Sequence, residues 1–272
     1  LTKFPEKVVI VGGGFIACEF ACILSNLGVK VTLLVRGEYL LKGFDKELSD
    51  SLLTQMKKIG IKIFFNSTPT SISKIGEDLK IKINSNLLKT IDCGGVLFAT
   101  GRKPFLEGLN LIDVGISCDL QRVKVDENNK TNITNIFAIG DVTDRVNLTP
   151  VAIEEGRIFA DRIFADIDRQ INYELIPSAV FSQPEIASIG LTEEMSVEKY
   201  GKENIKIYKT SFRSMSQALP KKESLCFLKI ITKSKDDKIL GCHMLGENSA
   251  EIIQMASISI GMGAKKLDFD RT

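Results

Sequence analysis

The sequence of 272 residues has one histidine, no tryptophan and only seven prolines. A single histidine leaves little room for a histidine-rich metal site, and no metal is predicted. Lysine and arginine together number 36 against 34 acidic residues, a nearly neutral balance. Such a balance gives no basic surface for nucleic acid and none for an anionic membrane. The composition therefore predicts neither kind of partner.

Long uninterrupted apolar runs are absent as well. The one stretch that approaches the length of a membrane span, residues 8–27, is broken by three consecutive glycines and by Glu19. The first seven residues do not combine basic residues with a long apolar core, so no signal peptide is predicted. The length instead predicts roughly two domains with sizeable cores.

Cysteine pairs with a redox or zinc-binding spacing are also missing. Of the six cysteines, only Cys18 and Cys22 lie close together, with three residues between them. That spacing puts them on one face of a helix, where free thiols pack as small apolar groups. Scattered unpaired thiols suit a reducing compartment, and we predict a cytoplasmic protein.

A strand–helix–strand pattern is the clearest feature that is present. Residues 8–11 and 31–35 are apolar runs typical of parallel strands covered on both faces. Between them, a glycine turn is followed by a helical pattern over 15–27, which Gly28 would end. This order predicts an α/β fold of the dinucleotide-binding type.

Gly12, Gly14 and Ala17 form a Gly-x-Gly-x-x-Ala motif between the first strand and the helix. Gly12 would permit a tight turn, Gly14 would let the backbone approach a pyrophosphate, and Ala17 would let the helix lie close to the strand. The amides at the helix N-terminus would then face the phosphates. A purely structural turn is the alternative, but the strand–turn–helix context favours a dinucleotide.

The end of the second strand indicates which dinucleotide is bound. An NAD site would place an acidic residue near Val35, but Arg36 follows instead, with Lys42 six residues further on. Two cations suit a 2′-phosphate, and a guanidinium can bind it through two hydrogen bonds. Glu38 argues against this assignment, and a solvated loop is the alternative. The placement favours NADPH.

Periodicity and turn residues predict the remaining elements. A helix from residue 46 is capped by Asp45, and Ile81 and Ile83 belong to a small antiparallel excursion. The other predictions are strands at 61–65 and 96–99, a loop over 105–135, a short buried strand at 136–139, a helix at 150–164, a hairpin of 227–232 with 239–245, and a helix at 250–262. Core candidates of the last helix are Ile252, Ile253, Met255 and Ala256.

Three polar residues in the second half of the chain invite a functional interpretation. Asp141 follows the predicted strand 136–139 and a glycine, and could accept hydrogen bonds from a bound polyol; an ordinary turn residue is the alternative. The helix near Thr149 would present its positive end to electron-rich ligand atoms. His243 lies inside a predicted strand with no acidic partner at an informative spacing, which predicts a structural role rather than a general base.

Together these residues resemble one family, the flavin disulfide reductases with two dinucleotide-binding domains. The similar stretches cover essentially the whole chain and are 9–19, residue 36 with 42–45, 99–104, 137–142, 148–153 with 156–157, 180–184 with 189–193, and 241–244. Within the family, the resemblance is greatest to the branch that reduces glutathione disulfide.

The resemblance implies an α/β protein in three parts. These are a Rossmann-like NADPH-binding domain over 1–111, the remainder of an FAD-binding domain over 112–174 and an α+β dimerisation domain over 175–272. The resemblance further implies an enzyme in which NADPH reduces FAD, FAD reduces a cysteine pair, and the dithiol reduces glutathione disulfide. It implies a homodimer for the parent protein.

The resemblance also implies a set of cofactor-binding residues. They are Gly12, Gly14, Phe15, Ile16, Ala17, Glu19, Arg36, Lys42, Ala99, Thr100, Gly101, Arg102, Gly140, Asp141, Leu148 and Thr149. The first glycines and Ala17 would hold the NADPH pyrophosphate, Arg36 and Lys42 the 2′-phosphate, and Arg102 would be a further NADPH contact.

Other implied roles concern the flavin and the substrate. Phe15 stands where the family has an aromatic gate over the flavin ring, and Glu19 would pair with a flavin-side lysine. Asp141 would bind the ribitol chain, and Thr149 would lie beside the ring. Arg157 matches an arginine that meets a carboxylate of glutathione disulfide, which favours this substrate over the trypanothione branch.

The sequence also departs from the family pattern. The glycine-rich FAD-binding segment with its Cys-x-x-x-x-Cys pair is expected before Leu1, and the His-Pro…Glu-Glu segment after Thr272. No catalytic residue is therefore predicted within the chain, and the chain alone is expected not to turn over disulfide. Phe15 replaces the commoner tyrosine. Lys42 replaces the commoner arginine, which keeps the charge but loses the fork geometry.

Two alternatives to this assignment stay open at the level of sequence. One is a dihydrolipoyl dehydrogenase or mercuric reductase, against which Arg36 and the Thr149-Pro150 stretch argue. The other is an NADP-binding module or oligomerisation partner without chemistry of its own.

Overall fold

A computed structural model describes residues 4–119, 121–218 and 225–272. The chain forms two compact units. The first combines the residues up to Gly101 with those from Glu174 onward, and the second is Arg102–Tyr173. Among the described residues, no helix is both long and apolar enough to cross a bilayer. The three-domain division with boundaries after residues 111 and 174 stays a prediction.

Strands and helices alternate at the start of the chain, and the strands of its last part pair antiparallel. The strands are β1 (Lys7–Val11), β2 (Lys30–Leu34), β3 (Lys62–Phe64), β4 (Thr68–Ile75), β5 (Asp78–Asn84), β6 (Thr90–Cys93), β7 (Gly95–Phe98), β8 (Cys118–Asp119), β9 (Arg122–Val123), β10 (Ser178–Val180), β11 (Ile186–Gly190), β12 (Ile205–Phe212), β13 (Cys226–Lys233) and β14 (Ile239–Leu245). The helices are α1 (Phe15–Asn26), α2 (Lys46–Lys58), α3 (Thr149–Phe164), α4 (Glu193–Tyr200), α5 (Met215–Ala218), α6 (Ser249–Gly261) and α7 (Lys266–Asp270).

A parallel sheet of order β3-β2-β1-β7 organises the first part of the first unit. The strands consist of apolar runs because both faces of the sheet are covered. Helices α1 and α2 pack on one face, where Ile10 and Leu33 are fully buried. Cys18 and Cys22 are buried on the inner side of α1, so the packing predicted for these two thiols is confirmed.

The opposite face of the parallel sheet is covered by an antiparallel sheet of order β4-β5-β6. Val9 and Val11 of β1 meet Ile81 and Ile83 of β5 in a small core between the two sheets. The alternation of β5 places Ile81 and Ile83 inward and the lysines beside them outward. The predicted antiparallel excursion is therefore confirmed.

An antiparallel sheet of order β10-β11-β14-β13-β12 completes the first unit. One face contributes Ile186, Phe227 and Leu245 to the same core as α1 and α2. The other face packs on α6 through Ile253 and Ile260. The predicted hairpin is confirmed as β13 and β14, which pair antiparallel.

The prediction for the buried face of α6 was wrong at two positions. Ile253 is buried, but Ile252 is 46% exposed and Met255 is 69% exposed. Residues 253, 256 and 260 share the face that contacts the sheet, and residues 252 and 255 fall outside it at 100° per residue. The helix therefore presents apolar side chains on both sides.

The second unit contains the β8–β9 hairpin, a 3₁₀ turn at Gly140–Thr143 and the long helix α3. The buried strand predicted at 136–139 was wrong. Phe137 forms only one isolated bridge, with Lys130, and Ile139 is 37% exposed. The apolar run instead contacts α3, where the ring centroids of Phe137 and Phe159 lie 5.0 Å apart. The segment keeps a short antiparallel pairing, in which the amide of Ala138 donates to Asn129 and that of Thr131 donates to Ile136, but this pairing is too short to form a strand.

Candidate dinucleotide-binding site

The glycine turn between β1 and α1 is built so tightly that its first position admits only glycine. Gly12 has a φ of +142°, and a Cβ placed there would lie 2.2 Å from the carbonyl oxygen of Ala99. That Cβ would also lie 3.5 Å from the Cβ of Ala17. The strands β1 and β7 and the helix α1 therefore converge at this point, as the motif predicts.

The third glycine of the turn faces open space. Gly14 occupies the N-cap position of α1 with extended backbone, and a Cβ there would meet nothing within 4 Å. No side chain caps the helix, and its first turn carries no acidic residue. The amides of the first turn are therefore available to an anion, and the space above Gly14 suits a pyrophosphate.

The residues that follow β7 lie at the same edge of the sheet. The amide of Ala99 donates to the carbonyl of Val11 at 2.8 Å, and Thr100 and Gly101 follow as exposed residues. The predicted strand 96–99 is β7, but it was expected to be buried and is not, since Phe98 is 56% exposed and its neighbours in the strand are only partly buried. The reason is that β7 is an edge strand of the parallel sheet.

The segment 35–45 folds back over the glycine turn and carries the two predicted cations. The amide of Leu41 donates to the carbonyl of Gly13 at 2.7 Å. Leu40 and Leu41 are buried, whereas Arg36 and Lys42 are exposed. The fold therefore brings both cations to the edge of the sheet that also holds the open N-terminus of α1.

Asp45, at the end of this segment, does more than the predicted capping. Its Oδ1 accepts from the amides of Glu47 and Leu48 at 3.1 and 3.4 Å, which confirms the cap of α2. Its side chain is fully buried, and Lys229 of β13 lies 3.0 Å from Oδ1 and 2.9 Å from Oδ2. Oδ2 also accepts from the amide of Glu193 at 3.1 Å.

Lys229 is the centre of a buried charge cluster that sequence reasoning missed. Its Nζ lies 2.9 Å from Glu47 Oε2 and 2.7 Å from Glu193 Oε2, besides the contacts with Asp45. Burial works against the charged ammonium, but hydrogen bonds to Glu193, Asp45 and Glu47 outweigh it and raise the pKa of Lys229. One signal could have identified it: Lys229 lies two residues from Phe227 and from Ile231 in β13, and side chains at this spacing share one face of a strand.

The pKa of Asp45 shifts in the complementary direction. Burial opposes ionisation of this carboxyl, but hydrogen bonds from Lys229 and from the amide of Glu193 prevail and lower its pKa. Both partners are therefore charged at neutral pH. We call the four side chains of Asp45, Glu47, Glu193 and Lys229 the Lys229 cluster.

Glu19, on α1, has a partner that its sequence neighbourhood does not reveal. Its Oε1 accepts from the amide of Phe181 at 2.9 Å, in the loop after β10. Phe15, at the start of the same helix, is 47% exposed. The roles implied for these residues towards a flavin stay predictions.

His243 is a structural residue, as predicted. It is fully buried, with Nδ1 3.0 Å from Ser188 Oγ and Nε2 3.1 Å from the carbonyl oxygen of Leu191. Burial lowers its pKa, so the imidazole is neutral at physiological pH. Both ring nitrogens are engaged inside the sheet.

The buried thiols of Cys18 and Cys242 are poor nucleophiles in their environment. All six cysteines are free. Burial raises the pKa of Cys18 to about 12 and that of Cys242 to about 11. Within the described residues, no cluster of histidine, cysteine, aspartate and glutamate has the geometry of a metal site.

In the second unit, a buried glutamate fixes the turn that carries Asp141. Glu155 is 1% exposed, and it accepts from the amide of Gly140 at 2.6 Å and from the hydroxyl of Tyr173 at 2.5 Å. Arg145 binds the same hydroxyl at 2.9 Å. Asp141 itself is exposed on the 3₁₀ turn. Sequence reasoning missed Glu155, which lies in a polar stretch of α3.

Helix α3 begins without a side-chain cap, as α1 does. Leu148 occupies the N-cap position, Thr149 is exposed and Pro150 lies in the first turn. Arg157 is exposed two turns later, 3.7 Å from Glu154. Arg102, the first residue of this unit, is exposed as well.

Comparisons with known proteins agree with this arrangement. The model of the pyridine nucleotide-disulphide oxidoreductase family matches residues 1–156, and the model of that family's dimerisation domain matches residues 176–272. Similar curated proteins include a glutathione reductase from Nostoc sp., 40% identical over 98% of this chain and 61% of its own length. Another from Burkholderia cepacia is 39% identical over 98% of this chain and 59% of its own length.

A plant protein is similar to the same degree. The chloroplastic/mitochondrial glutathione reductase of Pisum sativum is 40% identical over 100% of this chain and 49% of its own length. The chain thus spans between 49% and 61% of the length of these curated relatives.

Proposed function

Because the chain belongs to the pyridine nucleotide-disulphide oxidoreductase family, we propose that it is part of an NADPH- and FAD-dependent enzyme that reduces glutathione disulfide. The observation that carries the proposal is the glycine turn. Gly12 cannot accept a side chain, and Gly14 opens onto the uncapped amides of α1. A turn that excludes a side chain at Gly12 and is open at Gly14 fits a bound pyrophosphate.

The cations of segment 35–45 support NADPH rather than NADH. Arg36 and Lys42 are exposed at the same edge as the glycine turn, while the backbone that carries them is tied to Gly13. A guanidinium presents two parallel donors to a phosphate, and an ammonium adds a point charge. These two residues would bind the 2′-phosphate that distinguishes the two nucleotides.

The second unit supports a contribution to flavin binding. Asp141 is exposed on a turn held by Glu155, and its carboxylate can accept from hydroxyls. The uncapped first turn of α3 offers a partial positive charge to electron-rich ring atoms beside Thr149. When bound, the flavin would carry electrons from the nicotinamide to a disulfide. The resemblance also implies Gly140 and Leu148 as cofactor-binding residues of this unit, and it implies Arg102 as a further contact of NADPH.

The substrate proposal rests on the named relatives and on Arg157. The curated relatives are called glutathione reductases. Arg157 is 69% exposed in its side chain, and its contact with Glu154 is long at 3.7 Å, so its guanidinium is accessible to a carboxylate. Residues 176–272, which match the dimerisation domain, leave Ile252 and Met255 exposed on α6 and support a homodimer.

We place the proposed enzyme in the cytoplasm. Six free cysteines without a disulfide are consistent with a reducing compartment. The plant relative carries an organellar name, so a fluorescent fusion of the full-length protein in its native cell is the direct measurement.

The nucleotide assignment is tested by Arg36→Glu in the full-length protein, assayed with NADPH and with NADH. We expect the KM for NADPH to rise about 10- to 100-fold, since a charge-assisted pair becomes a repulsion. The KM for NADH should change by less than about twofold, because NADH lacks the 2′-phosphate. Lys82→Glu, an equal charge change at an exposed residue of β5, is the control. Equal losses for both nucleotides would refute the role of Arg36.

The substrate assignment is tested by Arg157→Met. The KM for glutathione disulfide should rise about tenfold while the KM for NADPH stays constant, since one carboxylate loses its partner. Arg122→Met is a matched control, because Arg122 is also exposed and forms an i,i+3 pair at 3.7 Å, with Asp119. An unchanged KM for the disulfide would refute the role of Arg157, and a lack of turnover of glutathione disulfide by the unaltered protein would refute the substrate assignment.

A further inference from the structure

We propose that Lys229 is a positioning residue for NADPH, which acts through Asp45 on the segment that carries Arg36 and Lys42. The inference rests on the proposed function, because it concerns how the 2′-phosphate cations are held. Lys229 and Asp45 are 184 positions apart in sequence. One lies in β13 and the other at the start of α2.

The first step of the argument is that the orientation of the Asp45 carboxylate is fully determined. Oδ1 accepts from two amides of α2, and Oδ2 accepts from the amide of Glu193. The ammonium of Lys229 bridges both oxygens. With both oxygens engaged and the side chain fully buried, the carboxylate has no alternative rotamer that keeps these bonds.

The second step is that Lys42 lies between two fixed points. Leu41, immediately before it, is buried and donates to the carbonyl of Gly13. Asp45 follows three residues later, and three residues span at most about 11 Å of extended chain. The exposed Lys42 is therefore held between the glycine turn on one side and the Lys229 cluster on the other.

The third step concerns why a charged pair occupies this place. A buried ion pair stabilises a fold little more than apolar residues of the same shape would, but it is strongly directional. An apolar contact would tolerate sliding of the segment, whereas the bonds of Lys229 to Asp45 specify one position. A phosphate bound by two cations requires such a position, since small displacements of a binding group weaken binding steeply.

Glu47 and Glu193 make it possible to test the bond of Lys229 to Asp45 separately from its other ion pairs. Glu47 and Glu193 keep the ammonium paired when Asp45 is changed, so no charge is left buried alone. Glu193 lies at the start of α4, outside the segment 35–45. Removing its charge leaves the tie between Lys229 and Asp45 in place.

The test is Asp45→Ser in the full-length protein, with Glu193→Gln as the matched control. Serine is a good N-cap residue, so α2 keeps its cap while the bonds of the carboxylate to Lys229 and to the amide of Glu193 are lost. We expect the KM for NADPH and the Kd for NADP⁺ to rise about 5- to 20-fold, since Lys42 is no longer held in place. The KM for NADH, the Kd for NAD⁺ and kcat should change by less than about twofold.

Glu193→Gln removes the same amount of charge from the same lysine and should leave the ratio of the two nucleotide affinities unchanged. Lys229→Met added to Asp45→Ser should cause no further loss in that ratio, because Lys229 is proposed to act only through Asp45. Equal losses of NADP⁺ and NAD⁺ affinity in Asp45→Ser, or no loss, would overturn the inference. A further loss of the ratio in the double variant would overturn it as well.

The two proposals fail in different ways. If the unaltered protein prefers NADPH and loses the preference in Arg36→Glu but not in Asp45→Ser, only the positioning role is wrong. If the unaltered protein shows no preference for NADPH, the nucleotide assignment is wrong and the positioning role falls with it.

Discussion

Helices α1 and α2 both follow a strand of the same parallel sheet, but their N-termini are finished in opposite ways. The connection into α1 is a glycine turn, and the first turn of the helix has neither a cap nor an acidic residue. The connection into α2 is the segment 35–45, which ends in a buried aspartate cap, with Glu47 in the first turn. One N-terminus is open to an anion from outside, and the other is closed by an anion of the chain itself.

The difference teaches how the protein separates binding from positioning. An open N-terminus has unsatisfied amides that attract phosphate. A closed one has its amides satisfied, so it serves as a fixed point. Because α2 is closed by a carboxylate that Lys229 also holds, the fixed point is shared with the antiparallel sheet. The open site and its anchor thus come from distant parts of the sequence.

The largest expected effect is at the closed end. Lys229→Met should lower the free energy of unfolding by about 3–5 kcal/mol, because the fully buried carboxylate of Asp45 would lose its cation and Glu193 would lose the same partner. Lys209→Met is the control, since Lys209 contacts Glu47 at 2.6 Å but is 54% exposed. It should cost at most about 1 kcal/mol. Urea denaturation measures both, and similar losses would contradict the special role of the buried lysine.

At the open N-terminus of α1, we expect Gly12 to matter for stability and Gly14 to matter for nucleotide binding. Gly12→Ala should cost about 2–3 kcal/mol or more, because its φ is unfavourable for alanine and its Cβ meets the carbonyl of Ala99. Gly14→Ala should change the free energy of unfolding by at most about 0.5 kcal/mol, since its Cβ would point into open space.

The same two variants distinguish a structural turn from a phosphate-binding one. Gly14→Ala should weaken NADP⁺ binding about tenfold, because the methyl group occupies the place where the pyrophosphate approaches. Calorimetric titration of the full-length protein measures this affinity. Normal NADP⁺ affinity in Gly14→Ala would indicate that the turn is structural only.

The smallest expected effect is a pH dependence at the closed end. The pKa of Asp45 is lowered in the fold from its ordinary value of 3.8, so its stabilising contribution is complete above that value and is lost as the pH falls through the folded pKa. The stability advantage of the unaltered protein over Asp45→Ser should therefore shrink as the pH falls from about 4 to about 3. Glu6→Gln, which breaks the exposed pair with Lys30, is the control. A constant advantage across this range would contradict the assignment.

The part of the fold that could be predicted has local signals, whereas no element was predicted at β8 to β12, α4, α5 or α7. The apolar strands, the helix patterns and the β13–β14 hairpin follow from neighbouring residues, and their observed bounds lie within one residue of the predicted ones. The errors have a common cause. Phe98, Ile139 and Met255 are apolar residues in segments whose pattern predicts a strand or a helix. Each is exposed because its burial depends on the neighbouring elements of the fold, which the local pattern does not show.

The residues of the candidate site likewise divide into those with a local sequence signal and those that only the fold brings together. Gly12, Gly14 and Ala17 are recognisable because a tight turn next to a helix restricts residue type at fixed spacing. The Lys229 cluster could not be predicted, since its members come from α2, α4 and β13 and no spacing relates them. Glu155 escaped notice for a similar reason, because burial by Tyr173 and Gly140 is what makes it unusual.

The sequence by itself therefore determined the βαβ unit, its glycine turn and the two cations after β2, since each depends on residues a few positions apart. Only the tertiary structure decided that α1 begins open and α2 begins closed. That distinction depends on Asp45 and Lys229, which meet only when the antiparallel sheet packs on the helices. A buried charge must be paired to be stable, and its partner can come from any part of the sequence that the fold brings close.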